Sequence, residues 1–148
     1  MTIKNLKQFQ ARMKKRIDNA DKKMARALAR STMIVQAEAQ ESILSGAKSG
    51  RTYMRGGRPH TASAAGEAPA NDTGVLAGGI TTSVEKKDRN TLVGYVKAHA
   101  SDGSGGNYAV HLEFGTRTMG ARPFMQPALQ KNERRIKQIF MQEGVIDK

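Results

Sequence analysis

The sequence predicts an α+β fold with a long N-terminal helix, a small antiparallel sheet of about three to four strands, and a C-terminal helix packed on it. Residues 3–45 carry apolar side chains at helical spacing and contain neither Gly nor Pro. Residues 80–98 hold two short runs rich in β-branched residues around a polar turn. Residues 127–143 return to helical spacing after two prolines.

The chain of 148 residues is expected to form one domain with three parts. We predict a basic helical arm over residues 1–45, a long flexible loop over residues 46–72, and an α+β body over residues 73–148. The net charge of +12 is unevenly divided among them. Residues 1–60 carry fourteen Lys or Arg against four acids, whereas residues 61–148 carry eleven against nine.

This charge asymmetry favours contact between the arm and nucleic acid or an acidic protein surface. A solvated helix face explains it equally well. The chain lacks cysteine, which excludes disulfides, cysteine nucleophiles and thiolate metal sites. No run approaches 18 apolar residues, so we expect no membrane partner.

The predicted arm helix has one narrow apolar stripe. A straight helix of about 40 residues would span roughly 60 Å, more than a domain of this size, so it either projects or breaks. Asn19 and Asp21 mark the plausible break, because both residue types favour helix caps. A projecting helix would need another chain to cover its stripe, and the alternative is a role in the core alone. The stripe contains Ile3, Leu6, Phe9, Met13, Ile17, Ala20, Met24, Leu28, Ser31, Ile34, Val35 and Ala39.

Residues 46–72 are rich in Gly, Ala, Ser and Pro and are predicted to be one long loop. Connections of this length are uncommon in compact domains and are usually functional or disordered until bound. We therefore expect this segment to become ordered on assembly. Its Arg51, Arg55 and Arg58 are candidate contacts with a neighbouring subunit or partner.

The body begins with a short helical turn, which we expect Asp72 or Thr73 to cap and Gly78 and Gly79 to end. Strands are predicted over residues 80–85 and 91–98, with Val84 packing against Val93 and Tyr95.

Residues 108–114 alternate between apolar and polar side chains, which favours a third strand with one buried face. A short helix is the alternative, because residues 108 and 112, and 110 and 114, are also at helical spacing. Gly115 permits a turn and Pro127 suits the first turn of the final helix. That helix is expected to end at about residue 143, before Gly144, with Leu129, Ile136, Ile139 and Phe140 facing inward.

Enzymatic chemistry is not predicted. His111 and Glu113 form an H-x-E pair, but the cysteines of a zinc deaminase are missing. The three histidines lie in separate segments, which argues against a shared metal site. The glycine-rich residues 102–106 lack the lysine of a phosphate loop. We predict no catalytic, cofactor-binding or metal site. Glu113 is expected instead to accept hydrogen bonds from the backbone or from Arg117 or Arg122.

Four short motifs follow one another in a fixed order: Gly66-Glu67-Ala68-Pro69, Asp72-Thr73-Gly74-x-Leu76-x-x-x-Ile80, Tyr108-Ala-Val-His-Leu-Glu-Phe-Gly-Thr116 and Ala121-Arg-Pro-Phe-Met-Gln-Pro-Ala128. Together they resemble the head–tail joining proteins of long-tailed bacteriophages. These neck and tail-completion proteins include minor tail proteins of the lambda Z type. The resemblance covers about residues 60–145, and the N-terminal helix matches only in kind.

The resemblance implies an α+β subunit that forms a homo-oligomeric ring, of six or twelve copies, in the neck or at the upper end of the tail. It implies a structural virion protein without catalysis or cofactor, present in the host cytoplasm during assembly. The implied partners are neck or head-closure proteins, tail-tube or tail-terminator proteins, and the DNA end. Candidate contacts with subunits or partners are Arg51, Arg55, Arg58, Glu113, Arg117, Arg122 and Phe124.

The basic arm supports a second hypothesis, a stand-alone protein that binds nucleic acid through phosphate contacts without reading base sequence. The arm contains no standard recognition motif and hardly any stacking aromatic residues. Under either hypothesis the candidate DNA contacts are Lys14, Lys15, Arg16, Lys22, Lys23, Arg26 and Arg30.

Overall fold

The computed structural model describes residues 5–101, 103 and 106–147. Within them the chain confirms the α+β class, with a long N-terminal helix and a C-terminal helix packed on the sheet layer. The four strands form two separate two-stranded antiparallel sheets, β1–β2 and β3–β4. The elements in order are α1 (Leu6–Leu44), β1 (Thr52–Arg55), β2 (Arg58–Thr61), α2 (Val75–Gly78), β3 (Ile80–Lys86), β4 (Leu92–Ala98), α3 (Tyr108–Phe114) and α4 (Met125–Gln142).

Helix α1 is one uninterrupted helix of 39 residues, which gives it a length of about 58 Å. The predicted break at Asn19 and Asp21 does not occur. Asp21 does not cap a new helix, because its carboxylate pairs with the Lys86 ammonium at 2.8 Å. The predicted start of the helix at Ile3 lies outside the described residues.

The core lies between the second half of α1, helix α4 and the β3–β4 hairpin. Helix α1 contributes Ala27, Val35, Ala39 and Ile43, all at most 5% exposed. The other core residues include Ile80 at the start of β3 and Phe124, Ala128 and Ile139 at or in α4.

Two features place α1 close to α2 and to the β3–β4 hairpin. Gln36 and Gln40 donate side-chain hydrogen bonds to the carbonyl oxygens of Ile80 and Ala77 at 2.6 and 3.0 Å. Gly94 of β4 leaves room for the helix, since a Cβ atom there would lie 2.8 Å from Thr32 Cγ2.

Strands β3 and β4 confirm the predicted hairpin. Their register places Ile80 opposite Ala98 and Val84 opposite Gly94. Val84 is thus not directly paired with Val93 or Tyr95. The predicted cap of the preceding turn is wrong, because Gly74 occupies the position before α2 with φ of 78° and no side-chain cap.

Residues 108–114 form the helix α3, so the favoured strand prediction is wrong and the alternative is confirmed. The deciding contacts come from Asn107. Its side-chain oxygen accepts hydrogen bonds from the amides of Ala100 and Ala109, and its side-chain amide donates to the Ala98 carbonyl at 3.0 Å. These bonds cap the helix and join it to the end of β4.

The segment predicted as a loop contains the β1–β2 hairpin, which the sequence analysis did not predict. Gly56 and Gly57 have φ of 55° and 79°. Positive φ at both central positions is typical of a two-residue hairpin turn, and glycine adopts it without steric cost. All four residues of β1 are exposed.

Helix α4 confirms the predicted C-terminal helix, with Pro127 in its first turn and Gly144 after its end at φ of 66°. Ile139 is buried, whereas Ile136 and Phe140 are only partly covered. Leu129 is 49% exposed, so its predicted inward position is wrong.

Candidate subunit interface

Glu113, at the end of α3, holds the start of α4. Its carboxylate accepts hydrogen bonds from the backbone amides of Phe124, Met125 and Gln126 at 2.8, 3.0 and 2.9 Å. The next residue, Pro127, has no N–H to satisfy. One side chain therefore satisfies all the backbone amide donors in residues 124–127. It does so at the N-terminus of α4, where the helix dipole favours a negative charge.

The loop between α3 and α4 brings Glu113 to this position. Gly115 has φ of 77°, and a Cβ atom there would lie 2.8 Å from the Met119 carbonyl oxygen. The Arg122 backbone amide donates to the Leu112 carbonyl at 2.7 Å. The Arg122 side chain donates to the carbonyl oxygens of Ser63 and Gly120. The prediction that Glu113 accepts backbone hydrogen bonds is confirmed, and its bonds with Arg117 or Arg122 are not formed.

Glu67, in the motif Gly66-Glu67-Ala68-Pro69, joins the beginning of residues 46–72 to their end. It accepts hydrogen bonds from the Ser49 hydroxyl, the Ser49 amide and the Ala64 amide. The Ser49 hydroxyl is the largest of the causes that lower the pKa of Glu67 to about 2. Lys48 donates to the carbonyl oxygens of Ser42 and Ala68, and burial lowers its pKa, with Glu67 opposing that shift.

An apolar groove of about 710 Å³ opens between α1, β4, α3 and α4. Leu28 and Val35 of α1, Val96 of β4 and Phe124 line it from the body. Its rim carries Val110, Phe114 and Leu129, which are 50%, 76% and 49% exposed. Glu113 is the only ionisable residue of the lining.

The groove exists because residues 108–114 are helical. Val110 and Phe114 are one helical turn apart, so both point to the same open side of α3. In a strand with one buried face they would have joined the core, which is where the alternating pattern placed them. Sequence reasoning therefore missed the rim, and the helical spacing of residues 110 and 114 was the signal that could have found it.

The first sixteen described residues, 5–20, form what we call the projecting arm, and all of them are exposed. The body ends beside its last turn, where Arg16, Asn19 and Ala20 lie near Gly144 and Val145. The exposed apolar stripe of the arm consists of Leu6, Phe9, Met13 and Ile17, which are 49%, 58%, 40% and 58% exposed.

The basic residues of α1 fall into two groups. Arg26 and Arg30 both pair with Glu143 just after α4, at 3.0 and 2.8 Å, and lower its pKa. The other candidate DNA contacts make no ion pair within the described part of the chain and are exposed; they are Lys14, Lys15, Arg16, Lys22 and Lys23.

The structure does not bring the other candidate contacts together. Arg55 pairs with Asp72 at 2.6 Å, whereas Arg51 and Arg58 are exposed on the β1–β2 hairpin and Arg117 on the α3–α4 loop. Phe124 is 1% exposed and packs in the core. Glu113 and Arg122 hold the fold as described above.

The described residues contain no group of three or more His, Asp or Glu side chains that could hold a metal ion. In that same part of the chain no helix is long and apolar enough to cross a membrane.

Comparison with known families matches residues 7–115 to the HK97-gp10-like family, described as "Bacteriophage HK97-gp10, putative tail-component". The chain belongs to this family. The match starts in the projecting arm and ends at Gly115, so it includes α1, the β1–β2 hairpin and α3. No curated protein and no solved structure matches the chain.

Membership in this family confirms the resemblance to phage head–tail joining proteins. It identifies the chain as a component of the phage tail or head–tail region, and hence of the virion. The family is one of structural tail components, whose contacts are with other virion proteins.

Proposed function

We propose that this HK97-gp10-like protein forms a homo-oligomeric ring, of six or twelve copies, in the neck or at the upper end of the tail. The ring completes the tail and joins it to the head as a structural protein without catalysis. Its partners are the neck or head-closure proteins on one side and tail-tube or tail-terminator proteins on the other. Assembly takes place in the host cytoplasm.

The observation that carries this proposal is the large surface of the single subunit. The solvent-accessible surface is 10752 Å². A folded monomer of 16.1 kDa is expected to expose about 7,400 Å². The excess of about 3,300 Å² exceeds the roughly 800 Å² per partner of a standard interface several-fold. A subunit that contacts two ring neighbours and two further layers would cover such a surface.

Ring formation also requires two different faces on each subunit, because head-to-tail interfaces are heterologous. The projecting arm and the apolar groove are two such faces on different parts of the molecule. The exposed Arg51 and Arg58 of the β1–β2 hairpin and Arg117 of the α3–α4 loop offer further contacts with neighbours or partner layers.

Deletion of the gene in its phage tests the function. We expect lysates to contain filled heads and tails that remain separate, visible by negative-stain electron microscopy. Expression of the wild-type protein in trans should restore joined virions. Normal virions from the deletion phage would contradict the proposal.

A second candidate, binding of DNA by the arm, is favoured by the five exposed Lys and Arg residues without ion pairs. Within a neck ring, they would contact the DNA end. Replacing Lys14, Lys15, Arg16, Lys22 and Lys23 by Gln should abolish salt-sensitive DNA binding, with a loss of up to about 4.5 in the double-logarithmic salt slope. Unchanged binding to a DNA duplex in a mobility-shift titration would contradict it. Tight binding by an isolated monomer, together with normal virions from the deletion phage, would favour the stand-alone nucleic-acid-binding protein.

A further inference from the structure

We infer that the apolar stripe of the projecting arm, Leu6, Phe9, Met13 and Ile17, packs into the apolar groove of a second copy of this chain. This inference rests on the self-association in the proposed function and names the surfaces that produce it. The chain itself presents both the uncovered helix face and the uncovered groove.

The dimensions of the two surfaces agree. The stripe runs over the twelve residues from Leu6 to Ile17, which separates its two ends by about 16 Å. Along α4 the groove is lined over the sixteen residues from Met125 to Phe140, whose ends are about 22 Å apart. A three-turn helix can therefore lie along the groove with Leu129 and Phe114 against its apolar side chains, in the manner of helix-in-groove recognition.

The stripe cannot fill the groove of its own subunit. It continues the same face of α1 that, from Leu28 to Val35, already lines that groove. The centres of the two segments are about 20 residues apart on one uninterrupted helix, which separates them by about 30 Å. The arm can reach only the groove of another molecule.

The charges of the groove lining do not oppose this pairing. The arm is basic outside its stripe, with Lys7, Arg12, Lys14, Lys15 and Arg16 on the rest of its surface. The groove lining contains no basic residue and one carboxylate, that of Glu113. By contrast, two arms packed stripe to stripe would bring two basic helices together, at a cost in electrostatic repulsion.

The geometry of this contact is head-to-tail. The stripe and the groove are different surfaces of the subunit, so each molecule donates one and accepts one. Repetition of such a heterologous contact produces a closed ring where the rotation permits.

Two double variants test the stripe and the groove separately. The stripe variant is Phe9→Glu with Met13→Glu, and the groove variant is Phe114→Glu with Leu129→Glu. All four side chains are at least 40% exposed, so we expect both variants to remain folded by circular dichroism. Matched controls add the same two charges at exposed positions of the same elements or their neighbours: Gln8→Glu with Ala11→Glu on α1 and Gln130→Glu with Gln138→Glu on α4.

We expect the wild type and both controls to self-associate in light scattering, and each double variant to be monomeric. The stripe variant keeps its groove and the groove variant keeps its stripe. An equimolar mixture should therefore form a 1:1 heterodimer and nothing larger. If the groove variant associates like the wild type while the stripe variant does not, the arm binds another surface and the inference is wrong.

Cross-linking tests the contact directly, because the chain has no native cysteine. A short bismaleimide should join a Phe9→Cys subunit to a Leu129→Cys subunit, and should not join Gln8→Cys to Leu129→Cys. Dimers of Phe9→Cys alone would show stripe-to-stripe packing and overturn the inference.

The failures of the two proposals are distinguishable. Rings formed by all variants would overturn the interface and leave the ring itself standing. A wild-type chain that remains monomeric up to about 1 mM would overturn the interface, since an affinity that weak does not maintain a ring. The deletion phage tests head–tail joining independently of either result.

Discussion

The two halves of α1 have the same apolar periodicity and different surroundings. From Asp21 to Leu44 the helix lies against α4 and the β3–β4 hairpin, and Ala27, Ala39 and Ile43 are at most 1% exposed. From residue 5 to residue 20 every position is exposed, although Leu6, Phe9, Met13 and Ile17 continue the same stripe. Periodicity therefore identifies the face of a helix that is to be covered, and the tertiary structure shows whether the same chain covers it.

The largest expected effect on the free energy of unfolding comes from an Ile→Ala substitution, which we compare in the two halves of α1. Ile43→Ala removes a side chain that is 1% exposed and should lower the free energy of unfolding by about 2–5 kcal/mol. Ile17→Ala removes one that is 58% exposed and should change it by less than about 0.5 kcal/mol. Urea unfolding followed by circular dichroism measures both. Equal losses in the background of the monomeric groove variant, Phe114→Glu with Leu129→Glu, would show that the arm packs against its own body.

A smaller effect tests how closely the covered half approaches β4. Gly94→Ala places a Cβ atom 2.8 Å from Thr32 Cγ2, and a β-branched side chain in a helix cannot easily rotate away. We expect a loss of about 1–3 kcal/mol. Thr32→Ser removes that methyl group and retains a hydroxyl for the bond to the Ala29 carbonyl. The double variant should be more stable than Gly94→Ala alone, and additive losses in the cycle would contradict the close approach.

Helix α4 covers the second half of α1, and the carboxylate of Glu113 binds the backbone amides at the start of α4. Glu113→Gln removes the negative charge and leaves one oxygen to serve three amide donors, so we expect a loss of about 1–2 kcal/mol. Glu133→Gln, exposed on the same helix, is the control and should cost less than about 0.5 kcal/mol. Equal stability of the two variants would remove the capping role.

The smallest effect concerns the boundary between the halves, where Arg26 and Arg30 pair with Glu143. These partners lower the pKa of Glu143 below its usual value of 4.5 in the folded state. The ion pairs therefore stabilise the fold above about pH 4.5, and this contribution is lost as the pH falls through the lowered pKa. Glu143→Gln should flatten the acid limb of the stability profile, as should Arg26→Gln with Arg30→Gln. A profile identical to that of the wild type would show that the pairs do not stabilise the boundary.

The sequence was sufficient where local preferences and the fold agree. The absence of Gly and Pro before residue 46 predicted α1, the β-branched runs predicted β3 and β4, and Gly144 marked the end of α4. The motif around Glu113 predicted a carboxylate that binds the backbone. These features depend on propensity and spacing within a few residues, which a sequence displays directly.

The same reasoning failed where one pattern fits two structures. Residues 108–114 satisfy both the strand and the helix period, and the long-range bonds of Asn107 to Ala98 and Ala100 select the helix. The β1–β2 hairpin was hidden in a segment rich in Gly and Ala. Its ties to the body are bonds of Ser63 with Arg122 and of Gly66 with Ala121, which are far apart in sequence.

By itself the sequence determined a basic, amphipathic arm, an α+β body and a family of phage proteins, because composition, period and short motifs are local properties. The tertiary structure decided that α1 runs unbroken past the body, that Phe124 and Glu113 serve the fold, and that Val110, Phe114 and Leu129 rim an open groove. Those outcomes depend on which surfaces remain after residues far apart in sequence have packed together, so the local patterns allowed them without selecting them.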